Sequence, residues 1–249
     1  QKWIDDYGED HDFVRVRVRG VFPRAGSLQF IGLDTVAAAQ RRKAVGYQQF
    51  AKVIGVDVAR HGDDQSVITR RQHTQVWPQK KLREPNLMVL ADIVAGEIHE
   101  FKSDAVFVDA TGMGWGVIDR LRQMGFGDKV FPVQVGEKAL AENRYWNKRS
   151  ELWAEGKKWL EEGGCLPDDP EMETDLTGPQ YSYDNKMRVM IESKDDMKAR
   201  GLSSPDCADS LLLTFASPIA VKTKTPADTW RTRMGLDRGH HGGGSAQTA

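Results

Sequence analysis

The 249-residue chain has only two cysteines, Cys165 and Cys207, far apart and in no Cys-x-x-Cys pair. That excludes a disulfide framework and a thiolate zinc site, and fits a reducing cytoplasm. No run approaches the ~18 to 20 consecutive apolar residues of a membrane-spanning helix, and the opening residues, Gln1 to Asp10, are polar and acidic rather than signal-like. No membrane partner is therefore expected. The six histidines form no pair at zinc-enzyme spacing, and neither cysteine has a base beside it in sequence, so hydrolysis by covalent catalysis is not the expected route. Neither sign of charge dominates, with 35 Lys and Arg against 36 Asp and Glu. This balance argues against a histone-like polyanion binder but leaves room for local basic tracks. No Gly-x-x-x-x-Gly-Lys-Ser/Thr segment occurs, so ATP-driven work is not expected of these residues.

What the chain does contain is enough apolar residue content for one good core, and it reads in three parts. In residues 1–46, Val14, Val16 and Val18 alternate with Arg15, Arg17 and Arg19 as a strand with a basic face, and Ala37 to Lys43 predicts a short helix ending in cations. This part reads as an arm or linker. Because the chain begins with Gln in a segment of mid-protein character, it is expected to be excised from something longer. Residues 47–218 form the main domain. Lys52 to Val58 predicts a central strand, followed by a Gly62-Asp63-Asp64 turn and a second strand, Ser66 to Arg70. Leu87 to Val94 predicts a third strand, Ala105 to Asp109 a fourth, Trp115 to Met124 a helix and Val130 to Val135 a parallel strand. Arg144 to Glu162 predicts a long helix. Trp146, Trp153 and Leu160 recur along it as core packing, while its cations, Arg149 among them, are expected on a solvated face. Pro167 to Asp175 reads as a loop. A strand at Met187 to Glu192, a short polar helix and a last helix starting near Ser204-Pro205-Asp206 complete an α/β order with a mixed sheet. Residues 219–249 have the composition of a flexible tail.

Three aspartates stand where a charge is costly: Asp57 within an apolar strand, Asp109 at the end of another, and Asp206 in the first turn of a helix. Singly, each has an ordinary explanation as a hydrogen-bonded buried acid, a helix cap or a partner of the helix dipole. Together they can converge at one sheet edge, where carboxylates ~4 Å apart repel by about 4 kcal/mol at an effective dielectric of 20 and call for a cation. Hard oxygen donors without cysteine or histidine point to Mg²⁺ or Mn²⁺. Two such ions can drive phosphodiester hydrolysis.

The segments Gly55-Val-Asp-Val-Ala59 with Gly62-Asp-Asp64, Phe107-Val-Asp-Ala-Thr-Gly112 with Gly114, and Ser204-Pro-Asp-Cys-Ala-Asp-Ser-Leu211 resemble, in this order, the motifs of the nuclease domain of tailed-phage terminase large subunits. Trp3 to Gly8 and Gly20 to Pro23 look like the stretch that joins the motor ATPase to that nuclease. The resemblance implies an RNase H-like mixed sheet flanked by helices and two-metal endonucleolytic cleavage of double-stranded DNA, with two Mg²⁺ or Mn²⁺ ions. It implies action in the host-cell cytoplasm beside an N-terminal ATPase domain, a small terminase subunit and the portal protein. Asp57 would bridge both metals, with Asp109 and Asp206 each supplying one side; Asp63, Asp64 and Asp209 are additional metal or supporting acids. Lys194, just ahead of the last helix, meets either a scissile phosphate or an empty metal site, or is an ordinary surface lysine.

Candidates for phosphate contact are Arg15, Arg17 and Arg19, the cluster Arg41-Arg42-Lys43, and Lys80-Lys81 with Arg83; such contacts position DNA without reading its sequence. Three other readings stay open. A phosphate-handling enzyme of the actin and sugar-kinase class shares the first acid-bearing turn but lacks the late Ser204 to Asp209 helix start. A junction resolvase or transposase would use similar acids on branched DNA. A non-catalytic module docking on the portal would use them structurally.

Overall fold

The computed structural model describes residues 28–59, 65–84 and 86–220. The expected strand with Arg15, Arg17 and Arg19, the turn acids Asp63 and Asp64, and residues 221–249 of the expected tail lie outside these.

The fold is built around Lys52–Asp57 (β1), a strand covered on both faces. Val53 faces a core with Trp153, Leu176 and Leu211, whereas Ile54 and Val56 face a second core with Leu90, Val94 and Ile118. Because side chains alternate along a strand, Gly55 and Asp57 point with Val53. Ser66–Gln72 (β2) runs antiparallel to β1 and carries Gln75–Val76 (β3) and Lys80–Leu82 (β4) as antiparallel partners. Ala105–Asp109 (β5) lies parallel to β1 on its other side, and Val130–Val133 (β6) parallel to β5. The order is β3-β2-β1-β5-β6, with β4 also on β2. Val56 stands opposite Val108, so Asp57 and Asp109 follow side by side where the two parallel strands end.

The predicted third strand is overturned. Leu87–Phe101 is a 15-residue helix (α2 below), capped by Asn86, whose side chain accepts from the Met88 amide. The apolar pattern runs on past Val94 through Ala95, Ile98 and Phe101, and these residues are buried with Leu90, Ala91 and Val94 at three- and four-residue steps. A run cut off at Val94 is too short to tell buried strand from buried helix. Pro167 to Asp175 is likewise not simply a loop. Asp169 accepts from the amides of Glu171 and Met172, Pro170 occupies the first helical position, and Pro170–Thr177 is helical (α5 below). Numbered in chain order, the helices are α1 (Leu33–Arg41), α2, α3 (Gly114–Leu121), α4 (Lys148–Glu161), α5, α6 (Lys194–Ala199) and α7 (Asp206–Leu213). The helix expected from Arg144 starts instead at Lys148, behind the N-cap Asn147. Tyr181–Tyr183 (β7) and Val189–Ile191 (β8) form a separate antiparallel ribbon.

Residues expected to belong to an arm pack into the main core, where Phe30, Ile31, Val36 and Ala39 are buried beside Trp153 and Met172. Helices α2 and α3 cover one face of the sheet; α1, α4, α5 and α7 cover the other. The contact between α7 and β1 is close enough to need glycine. A Cβ at Gly55 would meet the Ser210 carbonyl oxygen at 2.0 Å. The Ser210 hydroxyl lies 3.0 Å from the Gly55 carbonyl and 2.9 Å from that of Val67, and shares a 2.8 Å bond with the Thr69 hydroxyl. Glycine on the strand and serine on the helix thus lock α7 against β1 and β2, with the acid-bearing turn of α7 alongside Asp57.

Candidate metal centre

The acids converge. Asp57 (4% exposed) ends β1, Asp109 ends β5 and Asp206 (7% exposed) opens α7. Asp209 lies one turn further along α7 and faces the same way, as the three-residue spacing requires. Between Asp57, Asp206 and Asp209 stands the ammonium of Lys194, the first residue of α6, which is capped by the Ser193 hydroxyl accepting from the Asp196 amide at 3.1 Å. Lys194 Nζ is 3.3 Å from Asp57 Oδ2, 3.4 Å from Asp206 Oδ1 and 3.1 Å from Asp209 Oδ2. Asp109 is tied locally, accepting from the Thr111 amide at 2.8 Å. All of these line one cleft of about 520 Å³, whose rim includes Trp146, a side chain 46% exposed.

The electrostatics separate the acids by role. Burial pushes the Asp57 carboxyl up to about 7; Lys194 works against the shift, while Asp209, Asp206 and Asp109 add to it. Burial also raises Asp109 against the hydrogen bonding from Thr111, and raises Asp206 against Lys194. Asp209 goes the other way. Burial opposes its charge, but Arg149, Lys194 and the indole of Trp153, which donates to it at 3.1 Å, hold its carboxyl below the usual range. Burial likewise disfavours the Lys194 ammonium, yet Asp57, Asp209 and Asp206 hold its pKa well above that of a free lysine. Four acids therefore share two cations, Lys194 and Arg149, leaving a formal deficit of positive charge that a divalent ion would fill.

The donor set fits a hard cation: carboxylates alone, two buried and two partly buried, on two strand ends and one helix. Among the described residues, however, no three acids, histidines or cysteines converge closely enough to hold an ion as they stand. The Lys194 ammonium occupies the point to which three of the carboxylates turn.

Asp57, Asp109 and Asp206 are thus brought together as the sequence led one to expect, and Asp209 with them. Arg149 was expected on a solvated face. Its side chain is 12% exposed, Nε lies 3.5 Å from Asp209 Oδ1 as an ion pair, and Nη1 donates to the Glu192 carbonyl. Its position just after the N-cap of a helix carried no signal of this. Of the basic candidates for DNA contact, Arg42 donates to the carbonyls of Leu160 and Gly164, at the end of α4. Lys80 pairs with buried Glu97, and Lys81 with Asp169 and Glu171 at 2.7 Å each. Arg41 and Lys43 are exposed. None of these five lines the acidic cleft.

No family model and no curated protein matches the chain. Solved structures do. The nuclease domain of the large terminase subunit gp2 of bacterial virus Sf6 is similar with a TM-score of 0.65 at 18% identity, over 78% of this chain and 100% of that one. A mutant of the same domain with manganese and β-thujaplicinol gives the same figures. The large terminase nuclease from thermophilic phage G20c with bound magnesium is similar with a TM-score of 0.57 at 16% identity, over 78% of this chain and 99% of that one. The chain has the fold of these nuclease domains, an RNase H-like mixed sheet flanked by helices.

Proposed function

We propose that the chain is the metal-dependent endonuclease domain of a tailed-phage packaging motor, cutting concatemeric double-stranded DNA from a centre made by Asp57, Asp109 and Asp206 with Asp209 beside them. The observation that carries this reading is the convergence of Asp57, Asp206 and Asp209 on the Lys194 ammonium, with Asp109 beside Asp57 where β1 and β5 end. The shared fold, solved in other proteins with manganese and with magnesium, supports it.

In this reading Asp57, between the other acids, would touch both of two Mg²⁺ or Mn²⁺ ions, with Asp109 and Asp206 holding one side each. Such ions, when bound, supply an activated water and charge neutralisation at the leaving oxygen. The chain's own contribution is preorganisation: two strand ends and one locked helix hold like charges together, so little rearrangement remains at the moment of reaction. Lys194 must withdraw from between Asp57, Asp206 and Asp209 for them to bind a metal. Its ammonium then stands at the cleft, free to meet a scissile phosphate. Phosphate contacts without base readout give cutting with little sequence preference and steep salt dependence. Choice of site would then rest with the motor's ATPase domain, small terminase subunit and portal.

Incubating the protein with supercoiled plasmid, linear duplex and a four-way junction in Mn²⁺ tests the proposal. Cutting of plasmid and linear duplex, falling steeply with salt, is expected. Selective cutting of the junction would favour a resolvase, and no cutting with no Mn²⁺-induced rise in melting temperature would favour a docking module.

A further inference from the structure

Helix α7 carries two acids of the proposed centre, yet it does not cap itself. The residue before Asp206 is Pro205, which offers no side-chain acceptor to the unpaired amides of the first turn. The acceptor comes from another helix: Asp175 Oδ2 takes the Cys207 amide at 2.8 Å, across 32 residues of sequence. Asp175 is 5% exposed and lies on the buried side of α5 with Met172 and Leu176. One turn earlier on α5, Glu171 accepts from the Gln65 side chain, and the Gln65 amide lies 3.4 Å from Asp206 Oδ2. Helix α5 therefore holds the start of α7 from two directions. At the far end, Arg71 donates through Nη2 to the Thr214 carbonyl at 2.7 Å, with its guanidinium 4.1 Å from the Phe215 ring centre. An acid at the N-terminus and a cation at the C-terminus both suit the helix dipole.

We infer that Asp175 is a positioning residue of the metal centre: by holding the first turn of α7 it sets Asp206 against Asp57. The inference rests on the reading of the acidic cluster as a metal site. Its position is a costly one for an acid. Burial pushes its carboxyl up to about 7 despite the hydrogen bond from Cys207, and Asp206 and Glu171 add to the shift. The contact that offsets this is the grip on α7.

Calorimetric titration of the metal-free protein with Mn²⁺ alone tests the role, with plasmid cleavage measured alongside. Asp175→Ala removes the acceptor and is expected to weaken Mn²⁺ binding about tenfold or more, in the range seen for residues that orient metal ligands. The cleavage rate at saturating Mn²⁺ falls while KM for DNA holds. Asp175→Asn keeps an acceptor and is expected to restore Mn²⁺ affinity to within about threefold, which a loss of general stability would not do. Affinity of a folded Asp175→Ala within about twofold of the unmutated protein overturns the positioning role and leaves the metal centre standing. Absence of Mn²⁺ binding by the unmutated protein overturns the centre itself, and this role with it. Should Asp175→Ala fail to fold, Asp175→Glu decides. Its carboxylate sits about 1.5 Å further along the side chain, so Mn²⁺ affinity equal to that of Asp175→Asn refutes the inference and a selective loss supports it.

Discussion

Replacing Gly55 with alanine perturbs the proposed centre from beneath without altering any of its carboxylates. Gly55 precedes Asp57 by two residues on the same face of β1, and its new Cβ would stand 2.0 Å from the Ser210 carbonyl oxygen and 3.0 Å from Thr214 Cγ2. Ordinary contact begins at 3.4 Å, so the helix must move by roughly 1.4 Å (3.4 − 2.0) or the strand must bend by as much. The Ser210 hydroxyl contacts with the Gly55 and Val67 carbonyls, at 3.0 and 2.9 Å, would then be stretched beyond hydrogen-bonding range. Overpacking costs about 1–3 kcal/mol, and each weakened buried hydrogen bond about 1 kcal/mol more. For a domain of this size that corresponds to a fall in Tm of roughly 6–20 °C. Displacement of catalytic groups by about 1 Å can cost on the order of a hundredfold in rate. The assay pairs thermal melts in EDTA with initial rates of plasmid cleavage in saturating Mn²⁺. A Gly55→Ala protein that melts within about 2 °C of the unmutated one and cuts at the same rate would refute the claim that the close approach of α7 to β1 sets the geometry.

Lys194→Ala leaves Asp57, Asp206 and Asp209 facing one another without their shared cation. Lys194 is 36% exposed, so the loss in metal-free stability should fall below the about 3–5 kcal/mol of a fully buried broken pair. Mn²⁺ should bind more tightly and raise the melting temperature more than in the unmutated protein; a smaller Mn²⁺ effect would show that Lys194 does not compete with the metal. Between about pH 5 and pH 8 the metal-free chain should lose stability as the pH rises. Asp57 and Asp175 are both pushed up to about 7 by burial, above the roughly 4 of an unfolded aspartate, so the folded chain binds more protons over that interval. Their stabilising effect is complete below about pH 4 and is lost as pH rises through about 7. Melts in EDTA should drop from pH 5 to pH 8, with part of the drop abolished in Asp57→Asn; a rise over that range would contradict the environment described for these acids.

How much of this was legible beforehand depended on whether the signal was local. β1 and β5 are apolar runs that stop at an acid, and α7 starts at a Pro-Asp pair, so the three principal aspartates could be placed on their elements from residue order alone. Helix α2 was misread because Leu87 to Val94 is uniformly apolar and its period shows only when Ala95, Ile98 and Phe101 are included. Helix α5 was hidden by its acids, which also serve as its cap and first turn. Charge partnerships were the least legible. Nothing near Arg149, Lys81 or Arg42 in sequence announces that one meets Asp209, another Asp169 and Glu171, and the third the end of α4. Lys194 stood among three readings until folding brought it, from 137 residues away, to Asp57. Asp175 looked like one more acid in an acid-rich stretch, because its partner amide lies on a helix that reaches it only through the packing of α5 on α7.

Cleavage of supercoiled plasmid by the unmutated chain and by Asp57→Asn, each in Mg²⁺, Mn²⁺ and EDTA and each shown to be folded by circular dichroism, tests the central claim most directly. The account predicts nicking and linearisation by the unmutated protein with either metal, none in EDTA, and none by Asp57→Asn under any of the three conditions. Metal-dependent cutting that survives in a folded, rigorously purified Asp57→Asn protein would contradict it.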